Sequence, residues 1–421
     1  MLWIQNGRLI DPYTGTDGQR DILIGDDGRI LAVEEKMTDV EAPVLDIGGK
    51  TVAPGFVDVH VHFRDPGQTY KEDLTTGSQA AVAGGYTTVV CMANTKPTCD
   101  NVEILQEIQA RAAKLPIHVL QSGAVTQGLA GKVLADMDGM AKIGAPGFTD
   151  DGINLTDPEI CRQAMEKAAA LGLPLSFHEE DPRFIENPGI NAGSAAAQKL
   201  GLGGASRQAE IVMIQRDIEL ARQTGAKVNF QHLSAKESVD LIRKAKAEGI
   251  SVYAEVTPHH ISLTEDAVLA HGTLAKMNPP LRTEADRQAL IAGLQDGTID
   301  MIATDHAPHS REEKDKPFTA APSGIIGLET AFSVCATYLV HSGKLTPYQL
   351  IEKMSVNPAK LYGLTGKAVV PGNPAELVIL DWEAPVTYTQ YRSKAANTPF
   401  TGMPLKGKAD SIVMGCQQLH G

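Results

Sequence analysis

Residues 55–67 read Gly-Phe-Val-Asp-Val-His-Val-His-Phe-Arg-Asp-Pro-Gly. Apolar and β-branched residues dominate this run, and a Pro-Gly pair bounds it on each side, a pattern that predicts a short buried strand. Alternate side chains of a strand point to the same face, so His60 and His62 can bind one metal ion together. A metal site at the end of this strand would need further ligands from later in the chain.

Composition narrows the class of protein. The chain has 421 residues, with 38 basic against 51 acidic side chains and a net charge of −13. That length permits a large core with a smaller satellite, and the charge disfavours nucleic acid or an anionic membrane as a partner. The sequence has no apolar run long enough to span a bilayer and no signal-peptide pattern at its start. Five scattered cysteines without a Cys-x-x-Cys pair indicate a reducing compartment, so we expect a cytoplasmic protein.

The middle of the chain alternates strand-like and helical segments. Regular alternation of this kind is typical of parallel strands joined by right-handed crossovers. Eight units over about 300 residues predict an α/β protein with a (β/α)8 TIM barrel, whose site lies at the C-terminal strand ends. A doubly wound open sheet is the alternative, but no Gly-x-Gly-x-x-Gly follows the first strand. The eight predicted strands end near His62, Met92, Gln121, Thr149, His178, His232, Val256 and Thr304.

The two ends of the chain have a different pattern. Residues 1–52 and 366–421 alternate apolar and polar positions between turn signals, as in the hairpin around Gly25-Asp26-Asp27-Gly28. An isolated hairpin is marginally stable in water, so we expect both ends to pair into one small discontinuous β-sandwich domain beside a barrel of residues 53–365. Two helices of the barrel are predicted to start at capping boxes, Thr156–Glu159 and Ser234–Glu237.

Potential metal ligands follow five of the predicted strand ends. A single His or Asp in such a place is more often a hydrogen-bonded structural residue, but five at one end of a barrel favour a metal centre. The set exceeds what one tetrahedral ion needs, which indicates two divalent ions, with Zn2+ favoured by the histidines. The candidates are His60 and His62, Asp150 or Asp151, His178, His232 and Asp305, whereas His306 should alternate to the side opposite Asp305 and pack there.

Longer motifs carry a resemblance to a known family. They are Asp-Val-His-Val-His-Phe-Arg-Asp-Pro-Gly at 58–67, Met-Ala-Asn-Thr-Lys-Pro at 92–97, Pro-Pro-Leu-Arg at 279–282 and Thr-Asp-His-Ala-Pro-His at 304–309. Together they resemble the class I dihydroorotases of the amidohydrolase superfamily, over essentially the whole chain. The resemblance implies reversible cyclisation of N-carbamoyl-L-aspartate to L-dihydroorotate in pyrimidine synthesis. Another cyclic-amide hydrolase, such as a hydantoinase or allantoinase, and a non-catalytic scaffold are the alternatives.

The resemblance also implies roles for the metal ligands. His60 and His62 would bind the more buried zinc ion, and His178 and His232 the more exposed one. Asp151 would bridge the ions where many relatives use a carboxylated lysine; this shorter bridge is expected to hold the second ion more weakly. Asp305 would be both a metal ligand and the general acid and base.

The same resemblance implies which residues bind the substrate. Arg64 lies two residues past His62, so a continuing strand would point its guanidinium into the pocket, where it could bind a carboxylate. Asn94 and His309 would join Arg64, while main-chain groups at Asn278 and in residues 321–324, including Pro322 and Gly324, would contact the ring amide. We expect the loop 311–324 to close over a small-molecule substrate. A homodimer, and a complex with aspartate transcarbamoylase, are further expectations.

Overall fold

The computed structural model describes residues 1–421. Its strands, in chain order, are β1 (Leu2–Asp11), β2 (Thr16–Ile24), β3 (Ile30–Glu34), β4 (Val44–Asp46), β5 (Thr51–Pro54), β6 (Phe56–Val61), β7 (Tyr86–Cys91), β8 (His118–Gln121), β9 (Phe148–Thr149), β10 (Leu175–Phe177), β11 (Val228–Phe230), β12 (Val252–Val256), β13 (Met301–Ile302), β14 (Glu376–Val386), β15 (Leu405–Met414) and β16 (Gln417–Leu419).

The α-helices lie mainly between the strands from β6 to β13 and after β13. They are α1 (Leu74–Gly84), α2 (Val102–Ala112), α3 (Met137–Lys142), α4 (Pro158–Leu171), α5 (Ala195–Leu200), α6 (Gln208–Thr224), α7 (Lys236–Ala247), α8 (Pro258–Ser262), α9 (Ala267–His271), α10 (Glu284–Asp296), α11 (Arg311–Lys314), α12 (Ala331–Cys335), α13 (Pro347–Ile351) and α14 (Asn357–Leu361). None of them combines the length and the apolar character that a membrane crossing requires.

Strands β6 to β13 form a closed parallel barrel, which confirms the predicted architecture. A three-stranded parallel sheet, β6-β7-β8, and a five-stranded one, β9 to β13, supply the eight strands of the barrel. Parallel bridges at Gly123–Phe148 and Val61–His306 join the two sheets at both seams. Every strand ends within two residues of its predicted end, because the buried apolar runs stop where the polar site residues begin.

The chain ends form one β-sandwich-like sheet of eight strands. Its order is β16-β15-β14-β5-β1-β2-β3, with β4 paired to β1. The antiparallel pairing of β5 with β14, for example Val52 opposite Ile379, joins the two ends of the chain as predicted. The boundary predicted after residue 52 falls inside β5, so the sheet extends to Pro54.

This sheet shares its core with the barrel. Alternating residues of β14 enter different clusters: Leu377 and Ile379 pack among the terminal strands, whereas Val378 and Leu380 join the large core of the barrel. The period of two in a strand explains this division, since successive side chains point to opposite faces. The terminal sheet therefore buries one face on the barrel.

Both predicted capping boxes are wrong in detail. Helix α4 is capped by Asp157, one residue later than expected, whose carboxylate accepts hydrogen bonds from the amides of Glu159 and Ile160. At α7 the capping position is Ala235, with no side-chain cap. The Ser234 hydroxyl instead donates to the buried Glu210 carboxylate, which also accepts the Ser234 and Ala235 amides. A tertiary partner therefore outcompetes the local motif.

Candidate metal centre

The first two ligand candidates lie at the end of β6. His60 and His62 are buried, and both turn Nε2 toward the same carboxylates. His60 Nε2 lies 3.3 Å from Asp151 Oδ1 and 3.4 Å from Asp305 Oδ1. His62 Nε2 lies 3.3 Å from Asp151 Oδ2 and 3.1 Å from Asp305 Oδ1. The alternation predicted from the sequence therefore holds at this strand.

Two further histidines complete the cluster on the other side of Asp151. His178 follows β10 and His232 follows β11, and their Nδ1 and Nε2 atoms are 2.9 Å apart. His178 Nδ1 is also 3.9 Å from Asp151 Oδ1. Asp151 Oδ1 thus lies near both His60 and His178, while Asp151 Oδ2 lies near His62.

Three of the four imidazoles have their outer nitrogen engaged. Glu255 Oε1 lies 2.6 Å from His60 Nδ1, and Glu180 Oε2 lies 3.0 Å from His178 Nε2. Asn94 Oδ1 lies 3.0 Å from His62 Nδ1, while the Asn94 amide group donates to Asp151. Because these oxygens are acceptors, each histidine must donate its outer N–H. When these imidazoles are neutral, as metal ligands must be, the inner nitrogens His60 Nε2, His62 Nε2 and His178 Nδ1 present lone pairs.

This donor set fits a divalent cation. His62 Nε2 lies 3.1 Å from Asp305 Oδ1, and buried His60 Nε2 has no hydrogen-bond partner. Zinc ligands about 2.0–2.1 Å from a tetrahedral ion lie about 3.3–3.4 Å from one another, close to the spacings observed here. Two groups of donors lie within bonding range of a common ion: His60 with Asp151 and His232, and His60 with His62 and Asp305.

The electrostatics agree with this fit. Burial lowers the pKa of His60, but Asp151 and Glu255 outweigh burial and raise that pKa well above its usual value. The surrounding carboxylates thus favour positive charge at the centre of the cluster. Bound divalent ions would supply this positive charge.

A cavity of about 210 Å³ opens beside the cluster. Its lining includes Arg64, which has a left-handed backbone conformation with φ of 58°. Because β6 ends at Val61, this turn, and not continued strand alternation, directs the side chain into the cavity. Arg64 Nε donates to the Pro308 carbonyl at 3.3 Å, and the guanidinium forms no ion pair. The lining residues are His62, Arg64, Asn94, Asp151, Gly152, His178, His232, Asn278, Asp305, Ala307, His309, Ser323 and Gly324.

His309 faces Arg64 across this cavity. Its Nε2 lies 2.9 Å from the Ser323 carbonyl, to which it donates, and 3.5 Å from Arg64 Nη2. Its Nδ1 lies 3.4 Å from the ammonium group of Lys71. Burial, followed by the charges of Arg64 and Lys71, lowers the pKa of His309 to about 2. His309 is therefore a neutral hydrogen-bonding group at physiological pH, and Arg64 is the cation of this wall.

Comparison with known proteins identifies the family. The model of the amidohydrolase family matches residues 51–415, most of the chain. The chain belongs to the amidohydrolase family. Curated relatives include the dihydroorotase of Clostridioides difficile, 52% identical over 98% of both chains, and that of Clostridium acetobutylicum, 47% identical over 98% of both.

Solved amidohydrolase structures share the whole architecture. The L-hydantoinase (dihydropyrimidinase) of Arthrobacter aurescens superposes with a TM-score of 0.89 at 27% identity, covering 100% of this chain and 96% of its own. The dihydropyrimidinase of Brevibacillus agri gives a TM-score of 0.86 at 21% identity, covering 99% and 94%, a likeness of fold alone. Barrel and terminal sheet thus occur together in these proteins.

All the residues predicted to bind substrate in this amidohydrolase line the cavity, except Pro322. The Pro322 carbonyl is turned away and accepts from Lys314 Nζ at 2.9 Å. The Gly324 amide is also engaged, since it donates to the Lys276 carbonyl at 2.9 Å. Gly324 therefore contributes surface, and not a free N–H, to the cavity.

Asp150 and His306, which are adjacent in sequence to candidate ligands, form their hydrogen bonds outside the metal-ligand cluster. The Asp150 carboxylate accepts hydrogen bonds from the amides of Val125 and Thr126, so it fixes the loop after β8. His306 turns away from the cavity, where Nδ1 accepts from the Gly327 amide at 3.2 Å and Nε2 lies 3.4 Å from Glu72. This orientation agrees with the alternation expected after Asp305.

Sequence reasoning missed Glu255, Glu180 and Gly152, whereas Ser323 lies in the predicted range 321–324 and lines the cavity. Glu255 had a usable signal, because a glutamate within the apolar run of β12 must find a buried partner. Glu180 lies two residues after His178 and could have been paired with it. Nothing local marks Gly152, whose place in the lining depends on how the loop after β9 folds over the barrel.

Proposed function

We propose that this amidohydrolase is a dihydroorotase, which interconverts N-carbamoyl-L-aspartate and L-dihydroorotate in de novo pyrimidine synthesis. The curated dihydroorotases that match nearly the whole chain at 47–52% identity support this function. The structural observation that carries it is Arg64, a cation without an ion-pair partner in the same cavity as the metal-ligand cluster.

The substrate has two features that the cavity matches. Its cyclic amide must reach the cluster of His and Asp donors, and its carboxylate needs a cationic partner. A guanidinium binds a carboxylate through two parallel hydrogen bonds, and the neutral side chains of Asn94 and His309 line the same cavity. Asn278 lines the side of the cavity where the ring would lie, and its Oδ1 accepts from the Ser323 hydroxyl at 3.0 Å.

We propose two zinc ions in this site, the more buried at His60, His62 and Asp305, the more exposed at His178 and His232. Asp151 would bridge them, since its oxygens face both groups. When bound, such ions polarise a carbonyl and lower the pKa of a bound water to about 7. Glu255, Asn94 and Glu180 hold the outer nitrogens of three ligands, which keeps the inner lone pairs directed at the ions.

Asp305 is the residue proposed to move the proton. Its Oδ1 lies at the centre of the cluster, 3.1 Å from His62 Nε2, and it borders the cavity. In hydrolysis the carboxylate takes a proton from the attacking water and delivers it to the departing ring nitrogen. In ring closure the two transfers occur in reverse, as microscopic reversibility requires.

A cyclic-amide hydrolase without carboxylate specificity is the second candidate. The likeness to the Arthrobacter L-hydantoinase favours it, because the barrel and terminal sheet superpose almost completely. Arg64 separates the two functions, since a hydantoin ring without an acidic substituent gives that cation nothing to bind.

Turnover by metal-stripped and zinc-reloaded protein tests the proposal. We expect interconversion of N-carbamoyl-L-aspartate and L-dihydroorotate in both directions, lost on stripping and restored by zinc. Protein that turns over neither compound but hydrolyses hydantoin or allantoin would support the second candidate. Protein that neither binds zinc nor turns over any of these compounds would instead be a scaffold.

Arg64→Met refines the same experiment. Removal of the guanidinium should raise KM for L-dihydroorotate by about tenfold or more, because one charged pair is lost from substrate binding. Arg311→Met is the control, since Arg311 is exposed on the nearby loop. An unchanged KM in Arg64→Met would remove this residue from the substrate site.

The assembly is proposed separately. We infer from the family resemblance a cytoplasmic homodimer that can form a complex with aspartate transcarbamoylase. Light scattering of the purified protein, alone and mixed with that enzyme, measures both properties.

A further inference from the structure

Two lysines beneath the edge of the cavity are buried without a carboxylate partner. Lys276 precedes the Asn278 region, and Lys314 ends α11; each is only 3% exposed. Burial lowers the pKa of both side chains, that of Lys314 to about 7. The nearby carboxylate, Glu313, pairs instead with Lys71 at 3.0 Å. Burying each lysine without a carboxylate partner therefore costs free energy that an apolar side chain would avoid.

Both ammonium groups bind main-chain carbonyls of a single segment, residues 318–324. Lys276 Nζ donates to the carbonyls of Phe318 and Ala321, at 2.7 and 2.6 Å. Lys314 Nζ donates to the carbonyls of Pro322 and Gly324, at 2.9 and 3.0 Å. Four of the seven carbonyls in this segment thus accept hydrogen bonds from two lysine side chains.

The same segment forms part of the cavity wall. Ser323 and Gly324 line the cavity, and the Ser323 carbonyl accepts from His309 Nε2 at 2.9 Å. The Ser323 hydroxyl donates to Asn278 Oδ1 at 3.0 Å. A shift of the segment would consequently move the hydrogen-bond partners of two proposed substrate-binding side chains.

We propose that Lys276 and Lys314 are positioning residues, whose ammonium groups hold segment 318–324 so that Ser323, His309 and Asn278 are correctly placed for substrate. Neither lysine touches the cavity; both act through the main chain. The inference rests on the proposed dihydroorotase function for its kinetic consequence, but not for its structural one.

Lys353 provides a matched comparison. It is also buried, and its Nζ donates to the Ile299 carbonyl at 2.8 Å, but it does not contact segment 318–324 or line the cavity. Replacing it removes a buried ammonium and leaves a carbonyl without its donor, as in the other two variants. Any effect that is specific to the segment must therefore be absent from Lys353→Met.

The test compares Lys276→Met, Lys314→Met and Lys353→Met as zinc-loaded full-length protein. For the first two we expect KM for L-dihydroorotate to rise about tenfold, kcat to change by about threefold or less, and zinc content to stay constant, since binding groups are displaced while the metal ligands are not. Amide hydrogen exchange across residues 315–325 should accelerate in the same two variants. Lys353→Met should show neither change.

Several results would overturn the proposal. Unchanged KM and unchanged exchange in both variants would do so, as would an equal KM rise in Lys353→Met. If a methionine variant fails to fold, the corresponding leucine variant, which likewise lacks an N–H donor, replaces it in the same comparison. If the wild-type protein does not turn over L-dihydroorotate, the proposed function fails, while hydrogen exchange still decides whether the lysines hold the segment.

Discussion

His60 has one imidazole nitrogen that faces the cluster and one that faces the barrel interior. The interior nitrogen donates to Glu255, whose other oxygen accepts from Asn229 at 3.0 Å. Asn229 in turn donates to the Ser176 hydroxyl at 3.2 Å. A buried hydrogen-bonded chain across β10, β11 and β12 therefore orients the imidazole of His60, a proposed metal ligand on β6.

Glu255→Gln tests that chain. The amide can bind the His60 N–H but supplies no negative charge, so zinc affinity should fall by about 10–100-fold. Competition with a chelator measures the affinity directly. Glu329→Gln is the control, because Glu329 is a buried glutamate that accepts the amides of Arg392 and Ser393 away from the cluster. Equal affinities in wild type and Glu255→Gln would rule out this role.

Asp305→Asn separates proton transfer from metal binding. The five other proposed ligands remain, so we expect zinc to be retained while kcat falls by about 10²–10⁴, the usual loss for a general acid and base. Metal analysis and steady-state kinetics on one preparation give both quantities. Zinc lost in proportion to activity would show that Asp305 acts mainly as a ligand.

Elements with strong periodicity were predictable from the sequence. The eight barrel strands and their ends follow from buried apolar runs, and the ligand histidines follow from where those runs stop. Helix caps were less predictable, because Ser234 has a buried competitor in Glu210 that lies 24 residues away. The Glu255 partnership with His60 spans 195 residues and depends on closure of the barrel, which no local pattern encodes.

The start of α4 gives an element-scale prediction. Asp157→Ala should destabilise the first turn by about 1 kcal/mol, because two amides lose their acceptor. Thr156→Ala should have little effect, since the Thr156 side chain makes no capping bond. Hydrogen exchange of residues 159–162 measures the difference, expected to be about fivefold. A larger effect at Thr156 would restore the capping box predicted from the sequence.

At the scale of the whole molecule, the barrel and the terminal sheet form one structural unit. Val378, Leu380, Ala409 and Ile412 from the last strands enter the same core cluster as the barrel residues. Removing those strands would expose that face and leave β5 without its partner β14. The domain boundaries proposed from the sequence are therefore not expected to mark independently stable pieces.

A fragment of residues 53–365 tests this expectation. We expect it to lack cooperative thermal unfolding and to bind zinc poorly, because the buried apolar face costs about 25 cal/mol for each Å² left exposed. Calorimetry and metal analysis, with the full-length protein as the reference, provide the comparison. A fragment that unfolds cooperatively and binds zinc fully would show that the barrel does not need the terminal sheet for its stability.

One comparison of substrates tests the account of the whole molecule most directly. Dihydrouracil has the ring of L-dihydroorotate without its carboxylate. The ratio of kcat/KM for these two compounds therefore measures how much the interaction of the carboxylate with Arg64 contributes to transition-state binding. Zinc-loaded protein should favour L-dihydroorotate by at least about 100-fold, equivalent to about 2.7 kcal/mol of transition-state binding. Equal or greater kcat/KM for dihydrouracil would contradict the proposed dihydroorotase function.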